Sequence, residues 1–120
     1  IFSSYRSYEK QKYLYYVVNK ENDNYSARPG YSEHQTGLVV DISTRNIGLI
    51  EDFKYSKEYQ WLKENAYKFG FIERYPENKE MYTLYSYEPW HYRYVGKETS
   101  TYITNNNLTL EEYIIKNYEL

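Results

Sequence analysis

The 120-residue chain contains two histidines, and each has an acidic side chain nearby. His34 lies in Tyr31-Ser32-Glu33-His34-Gln35-Thr36-Gly37. Asp41 follows at the end of the short apolar run that starts at Leu38. His91 lies in Glu88-Pro89-Trp90-His91-Tyr92. The chain has no cysteine, so a zinc ion held here must use imidazole and carboxylate ligands. Metal-assisted hydrolysis needs three protein ligands, an open position for water and a carboxylate to take the water's proton. Two histidines, Asp41 and Glu88 supply those types if the fold brings them together.

Each pair is ambiguous alone. On a helix His34 and Asp41 would share a face, but Gly37 and Val39-Val40 argue against a helix. A turn at Gln35-Thr36-Gly37 would set the histidine on one limb and Asp41 on the strand that follows. The plainer alternative is a surface histidine and a strand-end aspartate with no common partner. Pro89 disfavours a regular helix between Glu88 and His91. In a bent extended segment one of them can ligate a metal while the other stands off it. The plainer alternative there is an aromatic edge strand with a core histidine.

The elements that must position these residues follow from pattern and caps. Ile1 to Ser4 reads as a strand end. Ser7 offers an N-cap to a helix from Tyr8 to about Asn19, with Gln11, Leu14 and Val18 on one face. Arg6 precedes this helix, and both Arg6 and Gln11 can look toward the space beyond its N-terminus. Residues 20–30 read as loop, and Leu38–Ile42 as a buried, β-branched strand. Residues 43–55 are irregular, anchored by Ile47, Leu49, Ile50 and Phe53. Ser56 caps a helix from Lys57 to Phe69, with Tyr59, Leu62, Ala66 and Phe69 on its apolar face and Gly70 beyond its end. Strands are expected at Phe71–Tyr75, Tyr82–Tyr87 and Trp90–Val95, the last two separated by Glu88-Pro89. Thr109 and Glu112 form a capping box for a last helix ending near Asn117.

This order predicts an α+β fold with helices packed on one side of a small antiparallel sheet, and a zinc site, if the two motifs form one, would lie in a groove at that sheet. The length suits one domain spanning residues 1–120. The opening Ile1-Phe2-Ser3-Ser4 has no initiator Met, so the expectation is a domain excised from a longer chain, from which any surface anchor could have been removed. Net charge is −2, with no basic stripe, and a nucleic-acid partner is not expected. No apolar run reaches transmembrane length. Aromatics make up 21%, with 19 tyrosines, which suits amphipathic packing at a core rim or a wet aromatic groove.

The two motifs together, Ser32-x-His34-x-x-Gly37-x-x-x-Asp41 and Glu88-x-Trp90-His91, resemble the D-alanyl-D-alanine carboxypeptidase family of VanY type, zinc peptidases of bacterial cell-wall metabolism. The likeness extends from Ser4-Tyr5-Arg6-Ser7 and Gln11, through Phe69-Gly70-Phe71, to Gly96. It implies one zinc ion ligated by His34, Asp41 and His91, with Glu88 as general base and then acid for the leaving amine. It implies that Arg6 contacts the substrate and stabilises its developing negative charge. Gln11 and Ser32 match positions lining the substrate pocket, and Trp90 and Tyr92 flank the site. The implied partner is a peptidoglycan stem peptide ending in D-alanine, and the implied location is the outer face of a bacterial cell. A monomer is expected. Family members often carry a glycine near Leu84, where this chain departs.

The implied activity is removal of a C-terminal D-alanine by D,D or L,D cleavage. Alternatives are an endopeptidase with the same site, a non-catalytic zinc-containing wall-binding module, and a Tyr-rich structural domain. The presence of Glu88 ranks the enzyme above the binding module.

Overall fold

A computed structural model of the chain describes residues 1–23 and 25–118. Asn24, within the predicted loop, lies outside them. Three strands make one antiparallel sheet: β1 (Val39–Asp41), β2 (Phe71–Tyr75) and β3 (Glu88–Tyr94). The order is β1-β3-β2, so β3 is central and both its edges are used. Ser3 adds an isolated antiparallel bridge to Asp41, which is the strand end expected at the start of the chain. The helices are α1 (Tyr8–Tyr13), α2 (Lys57–Asn65), α3 (Glu80–Thr83), α4 (Lys97–Asn105) and α5 (Leu110–Asn117). Helices and a small antiparallel sheet make the α+β class predicted.

Caps set the helix starts. The Ser7 hydroxyl accepts from the Lys10 amide at 3.1 Å, and Ser56 from Tyr59 at 3.0 Å. Thr109 and Glu112 form the reciprocal capping box on α5. The first helix does not stay α-helical to Asn19: Leu14–Val18 is a π-helical turn, closed by the Asn19 amide on the Leu14 carbonyl at 2.8 Å. The second long helix tightens to a 3-10 turn at Ala66–Phe69 and stops at Gly70, φ 90°. A Cβ on Gly70 would lie 2.6 Å from the Tyr94 ring, so a glycine is needed here twice over.

Two strand expectations change. Residues 82–87 are not a strand. α3 occupies Glu80–Thr83, Leu84 turns into the left-handed region at φ 65°, and the Thr83 hydroxyl bonds the backbone of Tyr85. With β1 and β2 already on the two edges of β3, a strand here would have no place beside it. Glu88 and Pro89, expected to interrupt the sheet, belong to β3. Proline lacks a donor, and the ladder accommodates it with a register shift between Glu73 and Tyr75.

The core is largely aromatic: Phe53, Tyr59 and Tyr92 are buried, joined by Val39, Ile72 and Ile103. Phe69 and Val18, expected on buried faces, are instead more than half exposed. α4 was not legible. Lys97–Asn105 is rich in β-branched residues and its Gly96 cap offers no side chain. It is held by burial of Ser100 and Ile103, with the Ser100 hydroxyl donating to the Tyr67 carbonyl at 2.7 Å.

Candidate metal centre

Three separate elements deliver the cluster. A 3-10 turn at Glu33–Thr36 carries His34, β1 ends in Asp41, and β3 carries His91. Ser32 caps the turn, its hydroxyl accepting from the His34 amide at 3.3 Å. Gly37 then takes φ 75°, open to glycine at little cost, and turns the chain into β1. Asp41 and His91 are direct partners across the β1–β3 ladder, so their side chains share one face. Strict alternation along β3 would put Glu88 on the other face from His91. The register shift brings it back, and Glu88 Oε2 lies 3.4 Å from His91 Nδ1.

His34 Nε2 is 3.2 Å from Asp41 Oδ2, and His91 Nδ1 is 3.1 Å from Asp41 Oδ1. One ligand atom from each of the three residues lies within 4.8 Å of the others, and all three residues are buried. The donor set fits a metal ion. His34 Nδ1 sits 2.6 Å from the Ser4 carbonyl. A carbonyl only accepts, so Nδ1 holds the proton and Nε2 turns its lone pair to the cluster. Asp41 Oδ1 is buried with no hydrogen-bond partner among the described residues. Such an orphaned acceptor is costly unless something cationic meets it.

The electrostatics favour added positive charge. Burial raises the Asp41 carboxyl, but the two imidazoles overcome it and hold it at about 2. Burial lowers His91, but the nearby carboxylates of Asp41, Glu33 and Glu88 push it up to about 9. A field that keeps a proton on a buried imidazole also suits a divalent cation in its place. Glu88 differs from Asp41. Burial pushes it up to about 7, with Asp41 and Glu33 adding like-charge repulsion and His91 and His34 opposing. It is a carboxyl poised near neutrality beside the cluster, the usual setting of a general base.

A groove of about 790 Å³ opens over these groups. Arg6, Gln11, Ser32 and Trp90 all line it. Gln11 is buried and its amide is fully used: Oε1 accepts from Arg6 Nη1 at 2.8 Å, while Nε2 donates to Ser26 Oγ and the Ala27 carbonyl. Together with Ser3 Oγ, 3.0 Å from Nη2, it fixes the guanidinium. Burial lowers the Arg6 pKa, and Asp41 and Glu88 attract its charge from across the groove. Tyr92 is not brought here. It pairs with Glu73, its side chain lies in a second cavity of about 260 Å³ lined by Tyr59 and Glu73, and its neighbour His91 faces the groove. Tyr92 is thus turned to the face of β3 opposite the His91 imidazole, toward the second cavity and away from the metal cluster.

Sequence reasoning missed Glu33, Arg74 and Tyr75. The Tyr75 ring packs against the His91 imidazole, centroids 4.7 Å apart. Arg74 is buried, and an arginine inside an otherwise buried strand was the available signal. Glu33 sits between Ser32 and His34 in the motif, and its partners come from distant strands.

The sequence pattern of the family described as D-alanyl-D-alanine carboxypeptidase, VanY, matches residues 1–97. The Bacillus subtilis (strain 168) protein YodJ, which bears the provisional name of a carboxypeptidase, is 50% identical over 121 residues, covering 95% of this chain and 44% of its own. The solved LdcB LD-carboxypeptidase superposes with a TM-score of 0.86 at 50% identity, over 95% of this chain and 56% of that one. A mutant of the vancomycin-resistance D,D-pentapeptidase VanY, solved in complex with Zn(II), superposes with a TM-score of 0.73 at 43% identity, over 93% of this chain and 68% of that one. The chain spans less than half the length of several curated relatives it matches.

Proposed function

This chain belongs to the VanY family of D-alanyl-D-alanine carboxypeptidases, and from that premise we propose that it is the catalytic domain of a zinc enzyme that removes a C-terminal D-alanine from peptidoglycan stem peptides. The observation that carries the reading is the convergence of His34, Asp41 and His91 donor atoms within 4.8 Å, with Glu88 beside them and the groove above. The Zn(II) complex of a VanY relative supports zinc as the ion.

A zinc ion here would be held by His34 Nε2, an Asp41 oxygen and His91 Nδ1, and would supply Lewis acidity and a water molecule with its pKa lowered to about 7. Glu88 takes the proton as that water attacks the scissile carbonyl carbon. The same carboxyl then gives the proton to the amide nitrogen, the C–N bond breaks, and D-alanine leaves as a free amine. Arg6, fixed by Gln11 and Ser3, holds its planar cation toward the groove. It balances the negative charge that grows on the carbonyl oxygen or anchors the substrate's terminal carboxylate. Gln11 acts through Arg6, because its own amide is spent on Arg6, Ser26 and Ala27. Ser32 shapes the turn that presents His34, and Trp90 walls the groove. A stem-peptide substrate fits action at the cell wall, on the outer face of the cell. Among the described residues no helix is long and apolar enough to cross a membrane.

Cleavage before a C-terminal D-residue can be D,D or L,D, and both chemistries use the same metal set. Synthetic tetra- and pentapeptide stems, incubated with and without a chelator, test the proposal. D-alanine is released from at least one of them, the chelator abolishes release, and added zinc restores it. Stoichiometrically zinc-loaded protein that releases D-alanine from neither stem contradicts it.

A further inference from the structure

We propose that Glu33 is a positioning residue for the metal centre, a clamped carboxylate that holds the His91 imidazole with Nε2 protonated and Nδ1 free to ligate. The inference rests on the zinc reading above and assigns it a residue beyond the ligands and the base.

Glu33 is held as few carboxylates are. Its Oε2 accepts from Arg74 Nε and from Arg93 Nη1, both at 2.8 Å. Arg74 sits on β2, Arg93 on β3 and Glu33 on the turn before β1, so the carboxylate ties the three segments that frame the site. Arg74 is itself oriented by α5. Its Nη1 and Nη2 make a two-pronged contact with Glu111 at 2.7 and 2.6 Å. With Oε2 held by two arginines, Oε1 lies toward His91 Nε2, 3.6 Å away.

At 3.6 Å this is longer than a hydrogen bond. Glu33 Oε1 and His91 Nε2 are accordingly both buried without a partner among the described residues. Two orphaned atoms facing each other are each other's natural partner, and a small rotation of the ring closes the gap. An acceptor at Nε2 fixes the proton there and leaves the Nδ1 lone pair toward Asp41 and Glu88. Histidine ligands are commonly oriented in this way by a carboxylate behind the ring.

Glu33→Gln separates this role from bulk. The two arginines require an acceptor, so the amide oxygen of the substituted side chain takes the Oε2 place. The amide NH2 then faces His91 Nε2, donor against donor. The imidazole escapes by moving its proton to Nδ1, the atom needed by the metal.

The test measures zinc affinity by competition with a chromophoric chelator, and the absorption spectrum of the cobalt-substituted protein. Wild type and Glu33→Gln are compared, with melting of the metal-free form as a fold control. Glu33→Gln is expected to bind zinc roughly 10- to 100-fold more weakly and to shift the cobalt spectrum. Equal zinc affinity and an unchanged spectrum overturn the proposal while leaving the zinc reading intact. A wild type that binds no zinc overturns both. Should Glu33→Gln not fold, long-range proton–nitrogen NMR of zinc-loaded wild type decides. His91 is expected to carry its proton on Nε2, and a proton on Nδ1 overturns the clamp.

Discussion

Asp41 and His91 are direct cross-strand partners, and their facing atoms lie 3.1 Å apart. The pairing makes the metal centre a property of sheet register. A one-residue slip between β1 and β3 would send one of the two to the opposite face. Register is guarded at both ends. Phe2 and Ser3 bond the backbone of Asp41 on its outer edge, at 2.8 Å each. At the other end of the β1–β3 pair the Tyr94 amide donates to the Leu38 carbonyl at 2.7 Å.

Two glycines at positive φ should respond differently to alanine. Gly37, φ 75°, has open space where a Cβ would go, so Gly37→Ala costs only the backbone strain, about 1 kcal/mol. Gly70→Ala adds a Cβ 2.6 Å from the Tyr94 ring and 3.3 Å from the Gly96 backbone, and its cost should exceed about 2 kcal/mol. Urea denaturation of the two variants measures the gap. Equal losses contradict the close approach at Gly70.

Leu84 holds φ 65°, and the residue is 85% exposed. A branched residue there carries left-handed strain with little burial in return. Leu84→Gly is expected to raise stability by about 0.5–1 kcal/mol, less than the full relief because glycine also loosens the unfolded chain. A fall in the urea midpoint would show that the leucine side chain contributes more than the strain removes.

Glu73 titrates away from the metal site. Burial pushes its carboxyl from 4.5 up to about 7, opposed by the Tyr59 hydroxyl, which donates to it at 2.8 Å. The fold therefore favours the protonated form. Between pH 4.5 and about 7 the folded chain binds more protons at Glu73 than the unfolded chain does. This group's stabilising share is full below 4.5 and is lost as pH rises through that window. Glu73→Gln stays neutral, so its stability relative to wild type should grow across the window by up to about 3 kcal/mol and then level off. Thermal melts of the two proteins at several pH values give the difference curve. A flat curve contradicts a buried, proton-bearing Glu73.

The chemistry was legible where one residue type can do one job. In a chain with two histidines and no cysteine, His34, His91, Asp41 and Glu88 were the available parts, and their motifs carried the family likeness. Caps at Ser7, Ser56 and Thr109 were legible because side chain and amide lie within one turn. Long-range placement was not. Whether Tyr92 faces the groove depends on the phase of β3 and its register shift. Residues 82–87 have the tyrosines of a strand, but both edges of β3 are taken and the segment instead ends α3 and turns at Leu84. α4 has weak helix formers and is held by burial of Ser100 and Ile103. Glu33 lies inside the motif, yet its role is set by Arg74 and Arg93, far along the chain.

Glu88→Gln tests most directly the division of four side chains into three ligands, His34, Asp41 and His91, and one base. The amide keeps the shape of the carboxyl but cannot take a proton. The variant should hold one zinc per chain with wild-type affinity, while D-alanine release from stem peptides falls by roughly 10²–10⁴-fold. Loss of zinc would make Glu88 a ligand, and turnover that survives would require another base; either result contradicts the account.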